Sequence, residues 1–296
     1  MHLNQITKEL DAFFRIGEFE PDLPFSRLVP QVYGKAGIAF SSFLEQGFLE
    51  TFHGLMMRNS QNVDQIRCTV FLSEEIVDKV LAQNERDVLL ISHHPLVMET
   101  SDRGFLPLSE EHLQGMREQG VSVYVLHTPL DVHGEVSTSR ALARELGVRN
   151  PTGYYQGPSG PAASYGHLPD PIALDDFLKR VAQVTGVNDL HFIKNRETVH
   201  SVGIIAGGTD ARGILETAAL GCDTLLTGTY YNQVKTEIGQ WYRDEFAKIR
   251  DGLEINLVEA SHYATEAIVM QMDIADFCAD RFKIDCEFIP QDDPWY

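Results

Sequence analysis

Long apolar runs, an excess of positive charge and paired cysteines are all missing from this sequence. No apolar run approaches the ~18 residues needed to cross a bilayer as a helix, and Met1–Leu10 carries no basic cluster followed by an apolar stretch. Neither membrane insertion nor secretion is therefore expected. The four cysteines, Cys68, Cys222, Cys278 and Cys286, are scattered without a C-x-x-C pair, which is the pattern of reduced, mostly buried thiols in a cytoplasmic protein. Nothing in their spacing supports a Cys278–Cys286 bridge. Basic residues number 24 against 43 acidic ones, for a formal charge of −19. A field of that sign repels polyanions and lacks the basic footprint of a nucleic-acid binder. A small phosphate ester stays open as a ligand, because positive charge concentrated in one pocket acts locally whatever the net charge.

What is present is a 296-residue chain with 43% hydrophobic content, sufficient for one large or two small domains without disulfides. Short β-branched runs alternate with helical patterns, the signature of α/β architecture. Asn4–Phe14 reads as a helix and Gln65–Leu72 as a strand. Ser73 caps a helix with Ile76, Val77, Val80 and Leu81 at helical spacing, and Val88–Ser92 is a buried strand. A helix at Ser109–Gln119 and a strand at Val121–Leu126 follow, and His127–Asp131 leaves that strand as a loop before a helix near Ser137–Leu146. Five prolines and four glycines interrupt Asn150–Pro171, which reads as a connecting loop between domains. Beyond it, Leu174–Thr185 is helical, Ser201–Ala206 a strand, Asp210–Leu220 a helix and Thr224–Thr227 a strand. A helix around Gln233–Lys248, a strand Glu254–Glu259 and a helix from His262 to about Cys278 complete the order.

Ligand-type residues cluster at three places in this pattern. His93 and His94 end the Val88–Ser92 strand, where open α/β sheets place sites. Adjacent residues on an extended chain point to opposite sides, so two ions, one per histidine, fit the pair better than one shared ion. Taken alone, the pair fits equally well one satisfied core imidazole and one exposed one. In Leu126-His127-Thr128-Pro129-Leu130-Asp131, Asp131 is a hard oxygen ligand, whereas His127 could ligate, orient a ligand or transfer protons. An Asx-turn is the plainer role for that aspartate. His262 and Glu266 are four apart at a helix start, so they share a face and can converge on one ion, or form an ordinary surface pair. Ile205–Asp210, with Gly207 and Gly208, is a strand-turn-helix junction that matches no phosphate-binding glycine motif, so a tight turn is the better reading than an anion site. Thr224–Tyr231 ends a strand in hydroxyls and two aromatics that could line a pocket.

Taken in order, HHPL at 93–96, HTPLD at 127–131, GHLP at 166–169, AGGTDARG at 206–213, GCDTLLTG at 221–228 and SHYATE at 261–266 resemble the NIF-three-like family. Its members are often labelled dinuclear-metal-centre proteins or GTP cyclohydrolase I type 2 homologues. The resemblance runs from about Gly54 to Cys278. It implies two interlinked α/β domains with mixed sheets flanked by helices, and two divalent metal ions, zinc, iron or manganese, in the cleft between them. The implied ligands are His93, His94, Asp131, His262 and Glu266, with Glu266 bridging both ions. A ring-shaped homohexamer is implied as well. Three positions depart from the family pattern without removing a ligand: Thr229 stands where Glu is usual, Pro129 where Asn is usual, and Ser261 where Gly is usual.

The ligand placement sets domain one at 1–127 plus 262–296 and domain two at 128–261, with 150–171 as the connecting loop. The expected function is a metal-dependent hydrolase of a small molecule, similar to GTP cyclohydrolase type 2 or a phosphoesterase, with His127 transferring protons. No guanine-reading motif is recognisable. The alternative is a metal-handling or regulatory scaffold without turnover, for which closed coordination would be the sign. A nucleic-acid-encircling ring is disfavoured by the charge.

Overall fold

In a computed structural model, which describes residues 1–295, the apolar stretch that ends in His93 and His94 is a strand buried along its whole length. The chain divides into two units: residues 1–99, 105–130 and 270–292 form the first, and residues 100–104, 131–269 and 293–295 form the second.

The first unit begins with α1 (Leu3–Phe13), α2 (Leu23–Lys35) and α3 (Gln46–Thr51), followed by β1 (Gly54–Met57), β2 (Gln65–Phe71), α4 (Glu74–Ala82) and β3 (Val88–His94). A short hairpin, β4 (Val97–Met98) with β5 (Phe105–Leu106), then leads to α5 (Glu110–Gln119) and β6 (Ser122–Val125). The sheet order is β1-β6-β3-β2 and then the C-terminal strand Asp285–Phe288, parallel throughout except for β1. A strand flanked on both sides in a parallel sheet and covered on both faces reads as a continuous apolar run, which is what Val88–Ile91 shows. Val29, Tyr33, Met56, Leu90, Met116 and Val123 belong to one core beside it. Each such side chain contributes about 1.5–3 kcal/mol on burial. Ser73 caps α4 as expected, its Oγ accepting from Ile76 N at 3.1 Å, and Ser109 caps α5 in the same way, its Oγ accepting from His112 N at 3.2 Å.

The second unit contains α7 (Thr138–Glu145), entered from the short turn α6 (Thr128–Asp131), then β7 (Arg149–Gly157), β8 (Gly160–Ala173), α8 (Leu174–Thr185), β9 (His191–Ile193), β10 (Thr198–Gly208), α9 (Ala211–Ala219), β11 (Thr224–Thr229), α10 (Glu237–Ile249), β12 (Asn256–Glu259) and α11 (His262–Val269). Its mixed sheet has the order β7-β8-β10-β11-β12-β9, with β10, β11 and β12 parallel. The fold class is thus mixed α/β, with both sheets flanked by helices.

Two expectations are corrected here. Residues 150–171 are not a connecting loop but most of the antiparallel β7–β8 hairpin. Its glycines serve close packing: a Cβ on Gly153 would lie 2.7 Å from Pro161 Cγ, and one on Gly166 2.7 Å from the Arg149 carbonyl oxygen. The helix beginning at His262 stays in the second unit as far as Val269, so His262 and Glu266 stand with residues 131–269 and not with the first unit. After Val269 the helix widens into a π-turn, Met270–Ile274, and resumes as α12 (Ala275–Phe282) before β13 (Asp285–Phe288). Among the described residues no helix is long and apolar enough to cross a membrane.

Candidate metal centre

In the first unit, β3 and β6 bring three imidazoles together. Leu126 N donates to the Ser92 carbonyl at 3.0 Å one step past β6, so His127 leaves the sheet beside His93. The His93 and His94 rings lie 4.4 Å apart at 76°, and the His127 ring is 5.2 Å from the first and 4.8 Å from the second. Adjacent side chains were expected to diverge here; instead the rings meet edge to face at the last residues of the strand. One ring nitrogen from each of the three lies within 4.8 Å of the others, a group geometrically able to hold a metal ion. His93 and His94 are buried, and His93 Nδ1 is 2.7 Å from the Leu126 carbonyl oxygen. A bond donated to that carbonyl leaves the lone pair on Nε2, the atom a metal would take. The setting is otherwise aromatic: Phe71 lies 4.8 Å from the His94 ring, and Phe25 lies 5.7 Å from His94 and 4.6 Å from His127.

Sequence reasoning missed a further residue of this group. Asp22, the N-cap of α2, accepts from Phe25 N at 3.1 Å through Oδ1, while its Oδ2 lies 2.6 Å from His127 Nδ1 and accepts from Thr128 Oγ1 at 3.1 Å. Burial pushes the Asp22 carboxyl up, but His127 and the Phe25 N–H outweigh it and hold the group well below the usual carboxylate range. His53 stands nearby and is driven down to about 4, first by burial and then by His127, against the pull of Asp22. The helix-capping pattern of an Asp before an apolar helix was available as a signal for the cap; nothing local connects it to His127.

In the second unit, His262 opens α11 and Glu266 lies one turn further on, both buried, with His262 Nε2 3.2 Å from Glu266 Oε1. The two glycines that end β10 explain their room. Gly207 has φ 73°, and a Cβ there would lie 2.3 Å from Glu266 Oε1 and 3.2 Å from His262 Nε2. Gly228 allows the helix to start where it does, because a Cβ there would lie 2.7 Å from His262 Cα and 2.2 Å from the Gly207 carbonyl oxygen. The strand–helix junction here is no anion cradle: Gly207 N donates to Thr265 Oγ1 at 3.0 Å and Thr209 N to the Thr229 carbonyl at 3.0 Å. The indole of Trp295 stacks on His262, ring centroids 5.0 Å apart. Asp131, in the same unit, accepts from Thr138 Oγ1 at 3.0 Å.

The three departures noted in the sequence also take physical form. Ser261 adopts φ 65°, the left-handed region that favours glycine, and its Oγ accepts from Ala264 N at 3.3 Å. Thr229 Oγ1 donates to Glu259 at 3.1 Å, so a buried carboxylate from β12 occupies that corner and also accepts from Tyr230 N at 2.9 Å. Pro129 lies in the short turn α6 and is buried.

A family model described as Duf34/NIF3 (NGG1p interacting factor 3) matches residues 51–294. The chain belongs to the DUF34/NIF3 family. A Deinococcus radiodurans protein named GTP cyclohydrolase 1 type 2 homolog is 29% identical over 244 residues, covering 81% of this chain and 84% of its own. A Haemophilus influenzae protein of the same name is 25% identical over 246 residues, covering 82% and 90%. Among solved structures, a Thermus thermophilus protein superposes with a TM-score of 0.67 at 22% identity over 99% of both chains. A Bacillus cereus protein related to NIF3 gives 0.62 at 16% identity over 87% of this chain and 96% of its own. These likenesses show the fold. Residues 1–50, including Asp22, precede the family match.

Proposed function

We propose that this member of the DUF34/NIF3 family holds two divalent metal ions with His93, His94, Asp131, His262 and Glu266, and uses them to hydrolyse a small phosphorylated or amidine-containing molecule. The observation that carries the proposal is that one unit holds a buried imidazole cluster and the other a buried His–Glu turn, the latter cleared by a glycine whose Cβ would collide with the carboxylate. Buried imidazoles and a carboxylate suit zinc, iron and manganese. Bound there, the ions would supply Lewis-acid polarisation of a phosphoryl or carbonyl oxygen and an acidified water.

The chain's own residues do the rest. Glu266 offers two oxygens and would be the ligand that the two ions share. His93, fixed through Nδ1 on the Leu126 carbonyl, presents Nε2. His127 holds or moves a proton at Nε2 while Asp22 keeps its Nδ1 in place, a carboxylate–imidazole arrangement that sets the tautomer and raises the basicity of the ring. Phe25, Phe71 and Trp295 exclude water from the imidazole faces.

The curated relatives' names point to a purine nucleotide as one substrate to try, and the ring-shaped homohexamer stays part of the proposal on the family likeness alone. The test is a panel of phosphoesters, nucleotides and amidines assayed with zinc, manganese and ferrous iron each restored to chelator-treated protein. Turnover that needs metal and falls with His127→Ala is expected. A fully metallated protein inactive on every class would favour the scaffold function instead.

A further inference from the structure

Away from the imidazoles, the first unit gathers three of its cysteines in one place. Cys68 on β2 and Cys286 on β13 lie on adjacent parallel strands, where Cys286 pairs with Ile66 and Cys68 with Phe288, so the two are diagonal neighbours. Their Sγ atoms are 3.7 Å apart although 218 residues separate them. Cys278, on α12, is the third cysteine of the group and influences the titration of both. Cys68 and Cys278 are fully buried, while Cys286 is partly exposed on the edge strand of its sheet. On the opposite face of the same strands, the guanidinium of buried Arg67 is held by Glu85 at 2.9 Å, by Asp285 at 2.9 Å and by Gln65.

We propose that Cys286 and Cys68 form a peroxide-responsive thiol pair that closes to a disulfide between β13 and β2. Cys286 is the residue a small oxidant reaches first, and the buried Cys68 sulfur is already at contact distance; closing the bond from this diagonal register requires the edge strand β13 to shift along β2. The neighbouring Cys278 and Cys68 thiols hold Cys286 below the usual thiol range against its burial, whereas its two partners are pushed up, in line with the greater exposure of Cys286. Cys286 is thus the nucleophile and Cys68 the resolving thiol. The Cys286 thiolate attacks one oxygen of hydrogen peroxide, forming S–O and breaking O–O, and the departing hydroxide takes up a proton to become water. Cys68 then attacks the sulfenic sulfur, forming S–S and breaking S–O. The hydroxide released leaves as a second water with the Cys68 proton. Two thiols are oxidised and one peroxide is reduced.

Native protein is exposed to graded hydrogen peroxide, quenched with an alkylating reagent, denatured and mapped by peptide mass. Cys286 is expected to be lost at least about ten-fold faster than Cys222, whose thiol burial pushes up to about 12. A linked peptide containing residues 68 and 286 should accumulate, with two of the four thiols left and all four restored by dithiothreitol. In Cys68→Ser, Cys286 should stop at a sulfenic acid that dimedone traps. Three results would overturn the pairing: a crosslink from Cys286 to Cys278, oxidation of Cys286 without any crosslink in the wild type, or a Cys286→Ser protein that still loses two thiols at the same dose. The wild-type peptide map decides the matter even if a variant does not fold.

Discussion

Replacing Gly207 by Ala probes the metal site through a residue that carries no donor atom. The backbone part of the cost is shared with any glycine at positive φ: placing Ala in the left-handed region costs about 1–2 kcal/mol, offset by about 0.4–1 kcal/mol of unfolded-state entropy. Gly221, at φ 77° with nothing within 4 Å of its would-be Cβ, isolates that term. Gly207→Ala carries the same cost, and its Cβ would lie 2.3 Å from Glu266 Oε1. The carboxylate must withdraw by about 1 Å to reach ordinary separation, away from His262. Overpacking a buried position adds about 1–3 kcal/mol. Urea unfolding of chelated protein should therefore place Gly221→Ala about 1 kcal/mol below wild type and Gly207→Ala about 2–4 kcal/mol below. Metal content separates the two further. Gly221→Ala should keep the wild-type stoichiometry, while Gly207→Ala should lose affinity on the order of 10–100-fold, the size expected when a ligand's support is disturbed. Equal stabilities and equal metal content in the two variants would refute the idea that Gly207 makes room for Glu266.

Substitutions at Glu266, Asp22 and His127 separate ligands from supporting residues. Glu266→Gln keeps the size but removes the charge that the proposal sets between two ions, so both should weaken together in a metal titration; undiminished binding of two ions would remove the bridging role. Asp22→Asn keeps an acceptor for the α2 cap but loses the charge facing His127. It should lower turnover while sparing metal content, as should His127→Ala; metal loss in either variant would make His127 a ligand and not a proton carrier. Asp22→Ala should additionally cost about 1 kcal/mol of stability from the lost cap, measured by urea unfolding.

How far the sequence reached depended on whether each signal was local. The strand that ends in His93 and His94 could be read because seven consecutive buried residues leave a continuous apolar run in the chain. The His262–Glu266 pair was visible because helical periodicity is a short-range property, and Ser73, Ser109 and Asp210 marked helix starts for the same reason. Asp22 was missed because its partner lies 105 residues away and only the folded chain brings them together. The β7–β8 hairpin was missed because composition argued for a loop: Pro161 and Gly153 look like breakers in a list, yet they fit one another across the strands. The divergence expected of His93 and His94 failed because alternation describes a straight strand, not its final residues. The Cys68–Cys286 approach was equally hidden, since it needs the last strand to pair with β2.

The most direct test is the number of metal ions carried by each chain. Protein purified without chelator, or reloaded with zinc, manganese or ferrous iron and freed of excess, is measured by elemental analysis alongside His93→Ala and His94→Ala. Two ions per chain in the wild type and about one in each variant is the expected result. A wild type that holds no more than one ion under any loading would contradict the metal pair.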